Sequence, residues 1–254
     1  GKAGQGRYWT DEWYEGCSLT SDEYTEAYQK MLKSVYTYGG FWIGRYEAGI
    51  EGSIEDVSKA RTSHTTVTIE TSPKAISQKD AIPYNYVYCS EAQTLAEQMT
   101  PNSSYTSSLM FGIQWDLMLK FIEEKEVENA KDTEKEATRT NIKNALRSTS
   151  EYNNKYIGNY RDAELALNRG KFAQYRVLST WYKFDSIDKT NLVTGSKKLS
   201  QSSIENAISL TTGASDETKL QNIYDIAGNV WEWTLEFYNA NSRCTRRGGS
   251  YSYN

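Results

Sequence analysis

The segment at residues 222–234 constrains the fold of this chain most strongly. It reads Asn-Ile-Tyr-Asp-Ile-Ala-Gly-Asn-Val-Trp-Glu-Trp-Thr. Gly-Asn pairs are typical of tight turns, and a Trp-x-Trp run is typical of a strand with alternating faces. The sequence therefore predicts a turn at Gly228 and Asn229 followed by a strand, with the carboxylates of Asp225 and Glu232 on either side of the turn.

Two interpretations of these carboxylates are open. A turn that aims carbonyl groups inward between Asp225 and Glu232 would offer Ca²⁺ the shell of oxygen ligands that it prefers. Alternatively, Asp225 caps the turn of a hairpin and Glu232 pairs with an arginine, because short acidic turns are common. Spacing alone does not decide between them.

Composition excludes several classes of protein. The chain has 254 residues with 38% hydrophobic and 13% aromatic content, which is enough for a folded domain with its own core. Its net charge of −4 disfavours a nucleic-acid partner. No run of 18 apolar residues is present, so no membrane span is expected in this chain.

The small number of histidines and cysteines limits which metal sites and disulfides this chain can form. His64 is the single histidine and lies in a polar run, which removes every site built from several imidazoles. Cys17, Cys89 and Cys244 have no Cys-x-x-Cys spacing, so at most one internal disulfide can form. A bridge between Cys89 and Cys244 and a pair of buried free thiols are both open.

Hydrophobic periodicity and capping residues predict the remaining elements. Helices are expected at residues 20–38, 88–99 and 110–122, and strands at 41–47 and 65–71. The mixed-charge stretch at 123–147 is expected to be a solvated helix or a mobile excursion, and residues 150–220 are expected to be long loops held by aromatic anchors. The tryptophans expected in the core are Trp42, Trp115, Trp231 and Trp233.

Residues 225–234, together with Arg247-Gly248-Gly249-Ser250, resemble the formylglycine-generating enzyme (sulfatase-modifying factor) family. Its hallmark is a D-x-x-G-N-x-W-E-W-T run followed by R-G-G-S. The resemblance covers residues 38–254, with a poorly matching polar insertion around 123–220, and leaves 1–37 as a lead with a short helix. It implies an α+β, irregular C-type-lectin-like fold with short strands, two main helices and long loops.

The resemblance implies a calcium site but not the family's chemistry. Calcium would be held by the side chains of Asp225 and Glu232 and the carbonyls of Gly228 and Val230. The family's copper-binding cysteine pair begins three residues after R-G-G-S, where this chain has Tyr253. Its second position falls beyond Asn254. We therefore expect that this protein is not an enzyme. The alternative is an oxidase of this family that lacks its cysteine pair.

The chain is similar in this respect to non-catalytic relatives from gut Firmicutes bacteria and their phages, which include variable surface-display proteins. These imply a protein or glycan ligand, bound outside the cell on a cell surface or virion. Tyr, Asn and Ser suit such a surface because they combine rigid contact area with adaptable hydrogen bonds. The expected ligand-binding residues are Tyr238, Asn239, Asn241, Ser242, Tyr251 and Tyr253.

The family normally continues past R-G-G-S to a closing strand. We therefore expect the edge beside residues 247–251 to be open, or to pair with another chain or a missing C-terminal segment.

Overall fold

The computed structural model describes residues 21–100, 104–147, 157–160, 171–175, 180–183, 192–193, 196–197, 207–236 and 245–252. These residues form a mixed α+β structure of helices and short antiparallel strands, which confirms the predicted α+β class. None of the helices in this part of the chain has the length and hydropathy that a membrane span requires.

Four α-helices lie in the described ranges: α1 (Ser21–Tyr38), α2 (Cys89–Glu97), α3 (Gly112–Asn129) and α4 (Lys135–Arg147). The three predicted helices are confirmed, and α3 extends past its predicted end. In the mixed-charge stretch, the helical alternative is the one found. Arg139 of α4 donates to Glu123 and Glu124 of α3 at 3.0 and 2.8 Å, so ion pairs hold the two helices together.

The strands are short and form five separate antiparallel sheets in the described residues. Their bounds are β1 (Gly49–Ile50), β2 (Ala75–Ile76), β3 (Phe172–Tyr175), β4 (Tyr182–Lys183), β5 (Leu192–Val193), β6 (Ser196–Lys197), β7 (Ile208–Leu210), β8 (Lys219–Leu220), β9 (Ile223–Tyr224), β10 (Glu232–Thr234) and β11 (Thr245–Arg247). The pairs are β1 with β2, β5 with β6, β8 with β9 and β10 with β11, and β3 lies between β4 and β7. The predicted Trp-x-Trp strand is β10, and Trp233 stands opposite Arg246.

Two predicted strands are not present. At 65–71 the backbone bonds to side chains instead of a neighbouring strand, since the Val67 N–H donates to Glu91 and the Thr68 N–H to Ser72. At 41–47 the composition is that of a strand, but no described strand lies beside it. Composition predicts the tendency to form a strand, whereas a ladder also needs a partner.

Among the described residues, apolar side chains form three clusters. One joins Tyr24 of α1 with Phe111 and Leu235. A second surrounds Ile50 and Ile82, and a third lies beneath α3 around Trp115. The α1 helix therefore packs on the same core as β10.

The prediction of four core tryptophans is correct for Trp115, which is 6% exposed. It is wrong for Trp42, which is 94% exposed because it lies on the face opposite to the half-buried Phe41 and Ile43. Trp231 and Trp233 are half-buried, and the indole of Trp233 donates to the Val87 carbonyl at 3.0 Å.

Cys89 is buried at the start of α2 and is disulfide-bonded. Its partner is Cys17 or Cys244, the other two cysteines of the sequence, and both lie outside the described residues. Two buried free thiols are therefore excluded, while the predicted pairing with Cys244 stays a prediction.

Alkylation in denaturant tests this bridge. Without reductant, iodoacetamide should modify one of the three cysteines, because the disulfide protects the other two, and it should modify all three after reduction. Peptide mapping of the unreduced protein then identifies the partner of Cys89. Three modified cysteines before reduction would contradict the bridge.

Candidate functional site

The turn between β9 and β10 has an unusual backbone. Asp225, Gly228 and Asn229 have φ values of 59°, 78° and 54°, in the left-handed region that glycine and asparagine tolerate best. A Cβ on Gly228 would lie 2.6 Å from backbone atoms of Asn159, so no larger residue fits there. The Gly228 N–H donates to the Gly248 carbonyl at 2.7 Å, which ties the turn to the Arg-Gly-Gly-Ser segment.

Asn229 is the centre of a buried hydrogen-bond network. Its Oδ1 accepts from Asn159 Nδ2 at 2.9 Å and from the Leu210 N–H at 3.0 Å. Its Nδ2 donates to Glu47 Oε2 at 2.6 Å and to the Leu210 carbonyl at 3.1 Å. The side chain is 1% exposed and joins β7 to the turn and to residue 47.

Asp225 secures the neighbouring 213–218 loop. Its Oδ2 accepts from the Gly213 N–H at 2.6 Å and its Oδ1 from the Thr218 hydroxyl at 2.8 Å. Burial raises the pKa of Asp225 to about 6, although these two hydrogen bonds act to lower it. Both contacts join Asp225 to the 213–218 loop and not to the Gly-Asn turn, so they differ from the turn-capping role predicted as an alternative.

Glu47 is a site residue that sequence reasoning did not select. It is 7% exposed and accepts from Asn229 Nδ2 and from the Val230 N–H at 3.2 Å. Burial raises the pKa of Glu47 well above its usual value, and the charge of Asp225 raises it further. The one signal in the sequence is that Glu47 ends the Gly-Arg-Tyr-Glu run of the predicted strand.

Glu232 has a carboxylate oxygen without a partner. The residue is half-buried on β10, but its Oε2 atom is buried and accepts no hydrogen bond. Burial raises the pKa of Glu232 well above its usual value, with further contributions from the charges of Glu47 and Asp225. The three carboxylates therefore repel one another in a buried environment with little water to screen their charges.

The predicted arginine partner of Glu232 is not found in the described part of the chain. Arg247, which stands opposite Glu232 across β10 and β11, pairs with Glu236 instead. Arg246 lies over the ring of Trp231 at 4.3 Å. Glu232 is thus left with an open oxygen that faces the backbone of Gly248, where any Cβ would collide with it.

These residues meet only some of the requirements of a metal site. Glu232 offers a free, buried oxygen, as a cation ligand should. Asp225 already uses each of its oxygens to accept a hydrogen bond. Across the described ranges, no three His, Cys, Asp or Glu side chains are arranged to hold an ion.

A cavity of about 860 Å³ lies next to the carboxylates. Residues 43–48 form one side, and residues 230–233 and 250–252 form another. The lining is rich in aromatic rings and also includes both Glu47 and Glu232. The large rings that line it belong to Tyr46, Tyr84, Tyr86, Trp115, Tyr224, Trp231, Trp233 and Tyr251.

Of the predicted ligand-binding residues, Tyr251 lies in the described part of the chain. It is half-buried, lines the cavity and donates its N–H to the Asn229 carbonyl at 2.8 Å. The other five lie outside the described residues: Tyr238, Asn239, Asn241, Ser242 and Tyr253.

The raised pKa values predict how stability depends on pH. An unfolded aspartate ionises near pH 3.8 and folded Asp225 near 6, so its contribution to stability is complete below 3.8 and is lost as pH rises through 6. In chelator, the free energy of unfolding should therefore fall between pH 5 and pH 7, by about 1 kcal/mol from Asp225 alone.

Glu47 and Glu232 shift in the same direction and should add to this fall. Urea unfolding at several pH values measures it, and Glu232→Gln should flatten the profile. A free energy of unfolding that rises from pH 5 to pH 7 would contradict the electrostatic account of the three carboxylates.

No protein-family model, curated protein or solved structure matches this chain.

Proposed function

We propose that this protein is a non-catalytic, lectin-like binding and display module that takes a protein or glycan ligand into the cavity beside Trp231. The observation that carries the proposal is the cavity itself. Its volume of about 860 Å³ falls in the range of ligand pockets, about 300 to 1,000 Å³. Aromatic rings with a few polar groups are the usual lining of such pockets and suit both sugar rings and peptide side chains.

The predicted C-terminal surface and the cavity belong to one site in this proposal. Tyr251 is the described member of that surface, and it lines the cavity. The lectin-like fold and the relationship to the formylglycine-generating enzyme family are parts of the same proposal, supported by the turn that ties residues 228 and 248 together. The disulfide at Cys89 supports a location outside the cell, where oxidising conditions preserve such bonds.

Calcium is proposed as a structural ion of this site. A divalent cation would stabilise the ionised forms of Glu47, Asp225 and Glu232, whose pKa values are raised by burial and, for the two glutamates, further by the charges of the neighbouring carboxylates. The residues that would hold it are Glu232, through its open oxygen, and Asp225, with the carbonyls of Gly228 and Val230. The ion would supply charge compensation to the turn.

Calcium should therefore stabilise the fold. Binding to the folded state alone adds about 2.7 kcal/mol when calcium exceeds its Kd 100-fold, so the melting temperature should rise with calcium and fall in chelator. Asp225→Ala and Glu232→Gln should reduce or abolish the rise. The matched control Glu51→Gln should keep it, because Glu51 is exposed and lies outside this cluster. An unchanged melting temperature in chelator would refute calcium binding.

The alternative function is a copper-dependent oxidase, which needs two thiolates. The disulfide at Cys89 uses two of the three cysteines, so this chain has at most one free thiol while that bridge is intact. This favours the binding module. Stoichiometric binding of Cu(I) by the reduced protein under anaerobic conditions would instead support the oxidase.

A pair of variants tests the binding proposal. Ser108 is exposed and lines the cavity, whereas Thr106 is exposed and does not line it. Immobilised protein screened against a glycan array and a displayed peptide library should show saturable binding. Ser108→Trp should obstruct the cavity and abolish it, and Thr106→Trp should leave it unchanged. Ligands that bind both variants equally would place the site elsewhere.

A further inference from the structure

We propose that the cavity binds an extended peptide segment, which adds as a β-strand alongside residues 40–44 and places a basic side chain at Glu232. This deepens the proposed function, on which it rests, by choosing the ligand class of the same cavity. Four properties of the described residues carry the inference: an unpaired backbone, an alternating pattern of burial, a cavity beside both, and an unpaired buried carboxylate.

The backbone of residues 40–44 is unpaired. In the described part of the chain, neither the N–H groups nor the carbonyls of these five residues have a hydrogen-bond partner. Pairing begins again at Arg45, whose carbonyl accepts from the Tyr224 N–H at 2.8 Å. An open row of amides and carbonyls is what an added strand recognises.

The side chains of this segment alternate like those of a strand that covers a core. Phe41 and Ile43 are half-buried, while Trp42 and Gly44 are exposed. Ile43 packs against the cluster beneath α3. This alternation with a period of two is the pattern of a half-buried strand. The segment thus has the composition and burial of a strand but lacks the neighbour that would complete a ladder.

The cavity provides space for that neighbour beside the last two residues of the segment. Ile43 and Gly44 line it on one side, and the β10 segment with Trp231 and Trp233 lines it on another. A strand placed there would direct every second side chain onto the aromatic lining. A glycan would fill the same volume but would leave the amides and carbonyls of residues 40–44 without the regular partners that a peptide backbone supplies.

Charge complementarity favours a basic residue on the added strand. The cavity lining includes two carboxylates, Glu47 and Glu232, and one arginine, Arg246, which leaves an excess of negative charge. Arg246 lies over Trp231, and the Oε2 atom of Glu232 is without a partner. An arginine or lysine side chain in the cavity would pair with the carboxylate of Glu232, which lines it. Calcium bound through Glu232 would compete with this side chain, so the peptides are tested in chelator.

Three synthetic peptides test the proposal with the whole chain. The first is Thr-Val-Thr-Arg-Thr-Val-Thr-amide with fluorescein on its N-terminus, which alternates inward valine and arginine with outward threonine. The second replaces arginine with norleucine. The third is N-methylated at alternate residues, which removes the main-chain donors of one edge. Binding is followed by fluorescence anisotropy, and hydrogen exchange of residues 41–44 reports whether the strand forms.

The arginine peptide should bind and slow exchange at residues 41–44 at least about tenfold. The norleucine peptide should bind about tenfold more weakly to the wild type, but as well as the arginine peptide to Glu232→Gln. The N-methylated peptide should lose most of its binding. Glu51→Gln serves as the control, since Glu51 is exposed and does not line the cavity, so its substitution should not affect the preference for arginine.

Several outcomes would overturn the inference. Binding without protection of residues 41–44, or equal binding of the N-methylated peptide, would exclude an added strand. If residues 41–44 are protected from hydrogen exchange without any peptide and the protein sediments as a dimer, the position beside residues 40–44 would belong to a second copy of this chain. Glycan binding that Ser108→Trp abolishes, with no peptide binding, would overturn the strand while leaving the proposed function intact. If neither a glycan nor a peptide binds, both the added strand and the proposed binding function would be overturned.

Discussion

Replacing Trp115 with alanine should lower the free energy of unfolding by about 3 to 5 kcal/mol. Trp115 is 6% exposed on α3 and packs in the cluster that includes Ile122 and Ile226. Truncation removes a large buried surface and enlarges the adjoining cavity, and neighbouring side chains on a helix and a tight turn can fill the space only in part. Urea unfolding followed by circular dichroism measures the change.

Trp42→Ala is the matched control because it makes the same chemical change at a side chain that is 94% exposed. It should alter the free energy of unfolding by less than about 0.5 kcal/mol. A large loss at Trp42 and a small one at Trp115 would mean that α3 does not cover the core as described here.

Asn229→Ala should destabilise the protein by about 3 kcal/mol or more, because a single side chain satisfies several buried groups. Its loss would leave the Leu210 N–H and carbonyl, the Asn159 amide and the Glu47 carboxylate each without one hydrogen bond. An unpaired buried donor or acceptor costs about 1 to 3 kcal/mol, although the groups of one network do not contribute additively.

Asn222→Ala separates this network from backbone strain. Asn222 also has a positive φ, at 67°, but its side chain is exposed. Both substitutions place alanine in the left-handed region, so the difference between the two free energies of unfolding measures the hydrogen-bond network. Equal losses at both positions would show that backbone conformation alone explains the requirement for asparagine.

Local features of the sequence predicted the helices and β10 correctly. The α1, α2 and α3 helices have apolar residues at helical spacing, and β10 has the alternating Trp-x-Trp pattern. These signals lie within a few residues of one another. The segment at 41–47 has an equally strong local pattern but no partner strand in the described residues, and Trp42 is exposed because it lies opposite the half-buried Phe41 and Ile43. Strand pairing depends on distant residues that composition does not reveal.

Only part of the site can be predicted from the sequence, because the rest depends on residues that are distant along the chain. Asp225 and Glu232 were selected because they flank the Gly-Asn turn, and both are in the carboxylate cluster. Glu47 was missed because its environment is created by Asn229, 182 residues further along the chain. The open oxygen of Glu232 could not be predicted either, since its nearest arginine across the strands pairs with Glu236.

The most direct test of ligand binding in the cavity is the ¹⁹F spectrum of the protein labelled with 5-fluorotryptophan, recorded with and without a ligand from the screens. Trp115, Trp231 and Trp233 line the cavity, whereas Trp181 is buried in a different cluster and does not. Substitution of each tryptophan with phenylalanine assigns the resonances. We expect the resonances of the three lining tryptophans to shift on binding while that of Trp181 stays in place. Binding that leaves all three unchanged would contradict the cavity as the binding site.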